Sequence, residues 1–190
     1  IRVDARGHVA VIGGGVSGLR AALDLAKCDL KVSLIEQSPF LGGRLAQLDR
    51  VYPDGDDARG LLDRLMGEVL QNSRIAIYTS AEVSDASGYV GNFHLRVSQN
   101  PRGIDKNLPE DKVQAAIEAC PESVESEFDH GLVRRKAIYR AYAGCCPATA
   151  VIDWQLCTRC GKCFEAVGGE GIVLDAEPEE ITLDVGAVVM

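Results

Sequence analysis

His8-Val-Ala-Val-Ile12 runs straight into Gly13-Gly-Gly15-Val-Ser-Gly18, and the reading of this stretch decides the fold. The apolar run has the character of a buried strand. A helix is expected from about Val16 to Lys27, with Leu19, Ala22, Leu23 and Ala26 on one face. Lys31-Val-Ser-Leu-Ile35 has the character of a second strand, and Glu36 stands at its end. Strand, glycine turn, helix, strand and acid in this register form a βαβ dinucleotide fingerprint. The first Gly makes the tight turn, the second lets backbone approach a pyrophosphate, and the third lets helix and strand pack closely. The free N–H groups of the helix N-terminus then face the phosphates. Glu36 lies 18 residues after Gly18, in range to hold ribose hydroxyls. A plain glycine turn in an ordinary α/β domain is the competing reading.

The residues just after this acid separate FAD from NAD. Ser38-Pro-Phe-Leu-Gly42-Gly43-Arg44 offers a second place where backbone can approach phosphate or ribose. Arg44 adds a charge-assisted donor. This turn resembles that of flavoproteins akin to glutathione and thioredoxin reductases, which points to FAD.

Far along the chain, Cys157-Thr-Arg-Cys160-Gly-Lys-Cys163 places three cysteines at a spacing of three. Such a run is poor core material. It lets three thiolates converge on one iron–sulfur cube while the backbone curls around it. The usual fourth position of such a run holds Val167, so a further ligand must come from Cys120, Cys145 or Cys146. A four-cysteine zinc site is the main rival, and dithiol chemistry at Cys157 and Cys160 is another. Cys28 closes the first helix and is expected to be a packed thiol.

The 190 residues suffice for one substantial core or two small domains. With 46% hydrophobic and 25% charged residues the chain is of the globular class. A net charge of −8 argues against a nucleic-acid surface. The one basic run, Arg134-Arg135-Lys136, has the look of a solvated turn. No stretch approaches the roughly 20 apolar residues of a membrane span. No leader is evident ahead of the first strand. Seven cysteines, odd in number and grouped as C-x-x-C, suit a reducing compartment, and a cytoplasmic location is expected.

Between the motifs, Asp57 is a plausible N-cap for a helix carrying Leu61, Leu62, Leu65, Met66, Val69 and Leu70 as a core stripe to about Gln71. Ile75-Ala-Ile-Tyr78 is a further strand. Ala81-Glu-Val83, a turn over Ser87-Gly-Tyr-Val-Gly-Asn92, and Phe93-His-Leu-Arg-Val97 suggest an antiparallel excursion. His94 falls on its polar phase and is expected to meet solvent. Asn100-Pro-Arg-Gly103 is a candidate boundary. No nucleophile–base pair or acid/base dyad stands above background, so no catalytic side chain is assigned.

Taken with the two motifs, Gly42-Gly-Arg-Leu-Ala-Gln-Leu-Asp49, Ser87-Gly-Tyr-Val-Gly-Asn-Phe93 and Arg135-Lys-Ala-Ile-Tyr139 resemble the iron–sulfur flavoprotein of heterodisulfide reductase (the HdrA family) and its relatives, in order, over nearly the whole chain. The resemblance implies an α/β fold: a Rossmann-like, thioredoxin-reductase-like FAD-binding domain, incomplete here and interrupted by a ferredoxin-like α+β insert. The expected divisions are 1–99 for the first part of the FAD domain, 100–178 for the insert, and 179–190 for a truncated return through a strand like Asp184-Val-Gly-Ala-Val-Val189. It implies FAD contacts at Gly13, Gly15, Val16, Ser17, Gly18, Glu36, Gln37, Gly43, Arg44 and Val83. It also implies an electron-transfer oxidoreductase that passes electrons between FAD and a 4Fe–4S cluster, works with other subunits of a heterodisulfide-reductase-like or sulfur-metabolism complex, and acts as a homodimer.

The family's insert carries two 4Fe–4S clusters, and this chain departs from that. Cys120-Pro121 matches the end of the family's first cysteine run, but the other positions fall on Glu110, Val113 and Ala116. Ligands of two-cluster ferredoxins cross over between runs. Cys120, Cys157, Cys160 and Cys163 then make one complete set, and Glu110, Val113, Ala116 and Val167 are the lost set. The expectation is one 4Fe–4S cluster beside an apolar plug of Val113, Ala116 and Val167. Gly144-Cys-Cys-Pro147 has no counterpart in the family pattern, and Asp56, Asp57 and Ala58 stand where many members carry further cysteines. The rival readings are an NAD-binding dehydrogenase segment with a structural zinc knot and a non-enzymatic ferredoxin-like electron carrier.

Overall fold

The computed structural model describes residues 5–190. The chain divides into two compact units, one of residues up to Asn100 together with Pro178–Met190, the other Pro101–Glu177.

The first unit opens with β1 (His8–Ile12), α1 (Val16–Lys27) and β2 (Lys31–Ile35). A short 3-10 turn over Gly43–Gln47 and a small hairpin of β3 (Arg50–Val51) and β4 (Asp56–Asp57) lead into α2 (Ala58–Gln71). Asp57 caps α2, its carboxylate accepting from the N–H groups of Arg59 and Gly60. The stripe of α2 is buried at Leu62, Leu65, Met66 and Val69, but Leu70 is 59% exposed, because it falls off the face that meets α1. β5 (Ile75–Tyr78) comes next, then the long hairpin of β6 (Ala81–Tyr89) and β7 (Asn92–Gln99). The expected turn over residues 87–92 is shorter than its composition suggests: Ser87, Gly88 and Tyr89 stay in β6, paired with His94, Phe93 and Asn92.

The second unit holds α3 (Glu110–Ala119), the β8–β9 pair (Ser123–Glu125 with Arg134–Lys136), the β10–β11 pair (Ile138–Tyr139 with Val151–Ile152) and α4 (Lys162–Ala166). Arg134-Arg135-Lys136 is therefore a strand rather than a solvated turn. An antiparallel bridge between Ile104 and Ile172 closes the unit's ends. Its core gathers Ile104, Val113, Ala116, Ile138, Ala150, Ile152, Cys163, Val167 and Ile172.

The chain then re-enters the first unit as β12 (Glu179–Val185) and β13 (Ala187–Val189). The run from Asp184 to Val189 is not one strand. β12 lies antiparallel to β7, whereas β13 lies parallel to β1. Gly186 makes the corner: its N–H donates to the His8 carbonyl at 2.8 Å, and an added Cβ would sit 2.3 Å from the Arg6 carbonyl oxygen. The parallel sheet has the order β13-β1-β2-β5. Strand alternation gives it two covered faces. Val11 approaches Gly18 of α1, while Ala10 and Ile35 pack with Ala81, Leu95, Val97, Leu183 and Val185 of the antiparallel sheet. This is a Rossmann-like arrangement, with the glycine turn at the carboxyl end of β1. Among the described residues no helix is long and apolar enough to cross a membrane.

Candidate functional site

The two glycine turns of the first unit touch backbone to backbone. Gly13 takes a φ of +108°, which turns the chain sharply out of β1. Gly42 N donates to the Gly14 carbonyl at 2.8 Å, and Gly15 and Gly42 form a parallel bridge. A Cβ on Gly43 would lie 3.1 Å from the Gly15 Cα, and one on Gly18 would lie 1.8 Å from the Gly13 carbonyl oxygen. Gly18, which seats α1 on β1, is closed to any side chain, and at Gly43, where the turns meet, a Cβ would require the first turn to give by a few tenths of an ångström.

Beside these turns lies a cleft of about 340 Å³ lined by Gly13, Gly15, Val16, Ser17, Gly18 and Arg44, with Ile12, Ala21, Leu45 and Val189 among its walls. Val16 and Ser17 are exposed at the start of α1, where its first N–H groups have no intrahelical partners. Arg44 is exposed on the second turn. The arrangement offers backbone donors, a helix N-terminus and one guanidinium to an anionic group.

Glu36 is not a free acid at the strand end. Its Oε2 accepts from Gly14 N at 2.5 Å and its Oε1 from Ser38 N at 2.6 Å. It therefore joins the two glycine turns as well as marking the end of β2. Each carboxylate oxygen keeps a second lone pair for a ribose hydroxyl. Gln37 is exposed and its amide donates to Glu82 at 3.5 Å; Ala81 N donates to the Glu36 carbonyl. Val83, one residue past Glu82, is half-buried against the core of the antiparallel sheet. Glu36, Gln37 and the start of β6 are thus brought together, and Val83 can offer a cofactor its backbone rather than its side chain. Ser38 had no sequence signal beyond its place in the loop.

His94 is exposed yet paired: Nδ1 lies 2.6 Å from the Asp184 carboxylate, which also meets Arg6. The His94 hydrogen bond, with help from Arg6, holds the Asp184 carboxyl below its ordinary range.

In the second unit, Cys120 is the C-terminal cap of α3 and is buried. Cys163 is buried in the first turn of α4, Cys157 is half-buried and Cys160 is exposed. Burial pushes the Cys163 thiol up, against a backbone hydrogen bond at Phe164, and Cys157 and Cys120 stand near enough to push it further. The loop joining the cysteines is bent by left-handed backbone at Arg159 (φ +54°) and Gly161 (φ +80°), and Arg159 N donates to Cys157 Sγ at 3.4 Å. Thr158 Oγ1 donates to the Glu122 carboxylate at 3.1 Å, so this loop is tied to the turn just past Cys120. Among the described residues, no group of three or more His, Cys, Asp or Glu side chains is gathered as a finished metal cage. The hydrogen bond from Thr158 to Glu122 ties the segment of the cysteine run to the end of α3 that carries Cys120.

Arg135 supports this region. Its Nη2 donates to Asp153 at 2.8 Å, its Nε and Nη2 to Glu127 at 2.8 Å, and its Cζ sits 4.0 Å above the Tyr139 ring. Burial lowers its pKa, but the bonds to Glu127 and Asp153 outweigh that and leave it raised. Asp153 caps the turn that enters the cysteine run, accepting from Gln155 N and Leu156 N on Oδ1, while its carbonyl accepts from Cys157 N. The Asp four residues before Cys157 was the available sequence signal for this turn.

Cys145 and Cys146 are elsewhere in the unit. Both are buried, burial pushes both thiols up, and the charge they sense is Arg102, with Arg140 beside Cys145. Cys28 is exposed at the end of α1, not packed. Val113, Ala116 and Val167 are buried together in the unit's core, and Glu110 instead pairs at the surface with Arg140, bonded at 2.5 and 2.6 Å.

A family model described as FAD dependent oxidoreductase matches residues 8–174. The chain is 41% identical over 179 residues to the iron-sulfur "A" component of CoB–CoM heterodisulfide reductase from Methanocaldococcus jannaschii, covering 94% of this chain and 27% of that protein. It is 42% identical over 189 residues to an iron-sulfur "A" component of the same enzyme from Methanopyrus kandleri, covering 100% of this chain and 29% of the relative. The chain thus spans a little over a quarter of the length of these curated relatives. Among solved structures, L-proline dehydrogenase from P. horikoshii is 28% identical with a TM-score of 0.43, over 53% of this chain and 21% of that one.

Proposed function

We propose, for a chain that belongs to the FAD-dependent oxidoreductase family and is akin to the iron–sulfur flavoprotein of heterodisulfide reductase, that its electron transfer couples FAD to one 4Fe–4S cluster held by Cys120, Cys157, Cys160 and Cys163. FAD exchanges electrons in pairs or singly, and an iron–sulfur centre takes them one at a time; the protein supplies position and electrostatics.

The chain's own residues divide the work. The first turn, with Gly13, Gly15 and Gly18, and the N-terminus of α1 at Val16 and Ser17 cradle the pyrophosphate. Gly43 permits the second turn to close against the first, and Arg44 offers the phosphates a charge. Glu36 receives ribose hydroxyls with the lone pairs left over from Gly14 and Ser38. Gln37 and the backbone at Val83 flank that end of the site. In the second unit, Ile152 and Ile172 exclude water behind Cys163, which helps set a cluster's potential.

The observation that supports the cluster assignment is the tie between the loop of the cysteine run and the turn just past Cys120, where Thr158 Oγ1 donates to the Glu122 carboxylate at 3.1 Å. The buried trio Val113, Ala116 and Val167 supports a single cluster, since apolar side chains fill the second site's positions. The working form includes other subunits of a heterodisulfide-reductase-like complex and a second copy of the chain. The test is iron content in single variants of the full-length protein prepared without oxygen. Cys120→Ala is expected to lose the cluster, and Cys145→Ala and Cys146→Ala to keep it; the reverse pattern overturns the ligand assignment.

A further inference from the structure

The geometry points to Lys136 as the residue that sets the reduction potential of the centre assigned to Cys120 and the cysteine run. The inference rests on the cluster reading above and adds a charge that no ligand supplies.

Cys120 closes α3, and the chain enters β8 three residues later at Ser123. The register of the β8–β9 pair sets Ser123 opposite Lys136. The hairpin therefore returns Lys136 to the end of α3, and its Nζ donates to the Cys120 carbonyl at 2.7 Å. Backbone holds the place on either side: Cys120 N donates to Ile117 O, and Ala137 N to Glu122 O. Arg135, the preceding residue of β9, is tied to Glu127 and Asp153. The ammonium thus sits on a fixed strand.

Lys136 has no carboxylate partner among the described residues. The two acids nearest Cys120 in sequence, Glu118 and Glu122, are bonded to Gln114 and Thr158 instead. Lys136 is also half-buried, so salt screens its charge far less than that of Lys106, Arg159 or Lys162, which are exposed. Lys112 is half-buried too, but it stands in the first turn of α3, roughly 12 Å along the helix from Cys120 at 1.5 Å per residue. Adding one electron to a thiolate-ligated centre adds one negative charge. A fixed cation beside a ligand residue favours that form and raises the potential, in the way net charge and hydrogen bonding do around such clusters. The electron comes from the flavin or returns to it; no bond is made and no proton moves at Lys136.

The test is the midpoint potential of the cluster in the full-length protein loaded with iron and sulfide without oxygen, read by electron paramagnetic resonance during a redox titration. Lys136→Gln keeps a hydrogen-bond donor and loses the charge. It is expected to lower the potential by about 59 mV, a tenfold change in the one-electron equilibrium. Lys136→Met is expected to fall at least as far, Lys136→Arg to stay at the parent's value, and Lys112→Gln to leave it unmoved. If Lys136→Gln holds no cluster, Lys136→Met read against Lys136→Arg decides the matter, and equal potentials overturn the inference. A Lys136→Gln potential equal to the parent's, with the cluster signal present, overturns it as well. So does a fall in Lys136→Met without one in Lys136→Gln, which would make the hydrogen bond structural and the charge idle. A parent protein that shows no cluster signal refutes the reading underneath, and that failure is recognised before any variant is made.

Discussion

Arg135 and Asp153 form an ion pair at 2.8 Å in which Arg135 is only 11% exposed and Asp153 20%. The pair links strand β9 to the turn that delivers Cys157, so a residue outside the cysteine run fixes how the run begins. Arg135→Ala is expected to leave Asp153 Oδ2 without its donor in a half-buried place, at a cost of about 1.5–3 kcal/mol in stability. Arg135→Lys keeps the charge but not the forked geometry shared between Asp153 and Glu127, and is expected to recover less than half of that loss. Urea unfolding of the parent and both variants measures the difference. Equal midpoints would show that the pair does not support the turn.

The contact between the glycine turns makes a sharp steric prediction. At Gly43 the φ of +52° and the 3.1 Å approach to Gly15 leave no room for a methyl group without parting the turns. Gly43→Ala is expected to cost about 1–3 kcal/mol and to weaken flavin retention in the full-length protein. Gly18→Ala is expected to be worse, since its clash is with backbone at 1.8 Å. Flavin absorbance after gel filtration and the thermal midpoint report the two effects separately. Full flavin content in Gly43→Ala would remove the second turn from the binding site.

Asp184 sets a pH dependence whose sign is fixed by its partners. His94 and Arg6 hold its folded-state pKa below the ordinary value of about 3.9. Its contribution is therefore present above that ordinary value and is lost as pH falls through the lowered one. Asp184→Asn is expected to be less stable than the parent at neutral pH, and the gap is expected to close as the pH drops below the ordinary Asp range. Denaturation midpoints across this range check it; a gap that persists in acid would contradict the assignment.

How much of this was legible in the sequence depended on the range of the interactions. β1, α1, β2 and the capped start of α2 were legible because apolar period, glycine and Asp57 are local signals. The antiparallel sheet was harder. Gly88, at φ +106°, looks like a turn residue, yet a Cβ there would meet the Asn92 carbonyl across the hairpin, so the glycine serves strand pairing. Gly186 hid the break between β12 and β13 because both halves are apolar and β-prone. Leu70 fits the helical stripe of α2 but falls beyond its buried face, and Cys28 looked apolar enough to pack. Glu36, Gly43 and the cysteines were visible as motifs. Their connections to Ser38, to Gly15 and, through Thr158, to Glu122 are made by chain segments that no local pattern relates.

The central claim is that one cluster, held by Cys120 and the three-cysteine run, works beside FAD. The most direct test is iron and acid-labile sulfide per chain in full-length protein purified without oxygen, with the visible spectrum recorded before and after dithionite. The expected result is about four irons and four sulfides, with a broad absorbance that bleaches beneath a flavin spectrum. About eight irons would contradict the single-cluster account and the filled second site. Zinc without iron would contradict the electron-transfer role of the cysteines altogether.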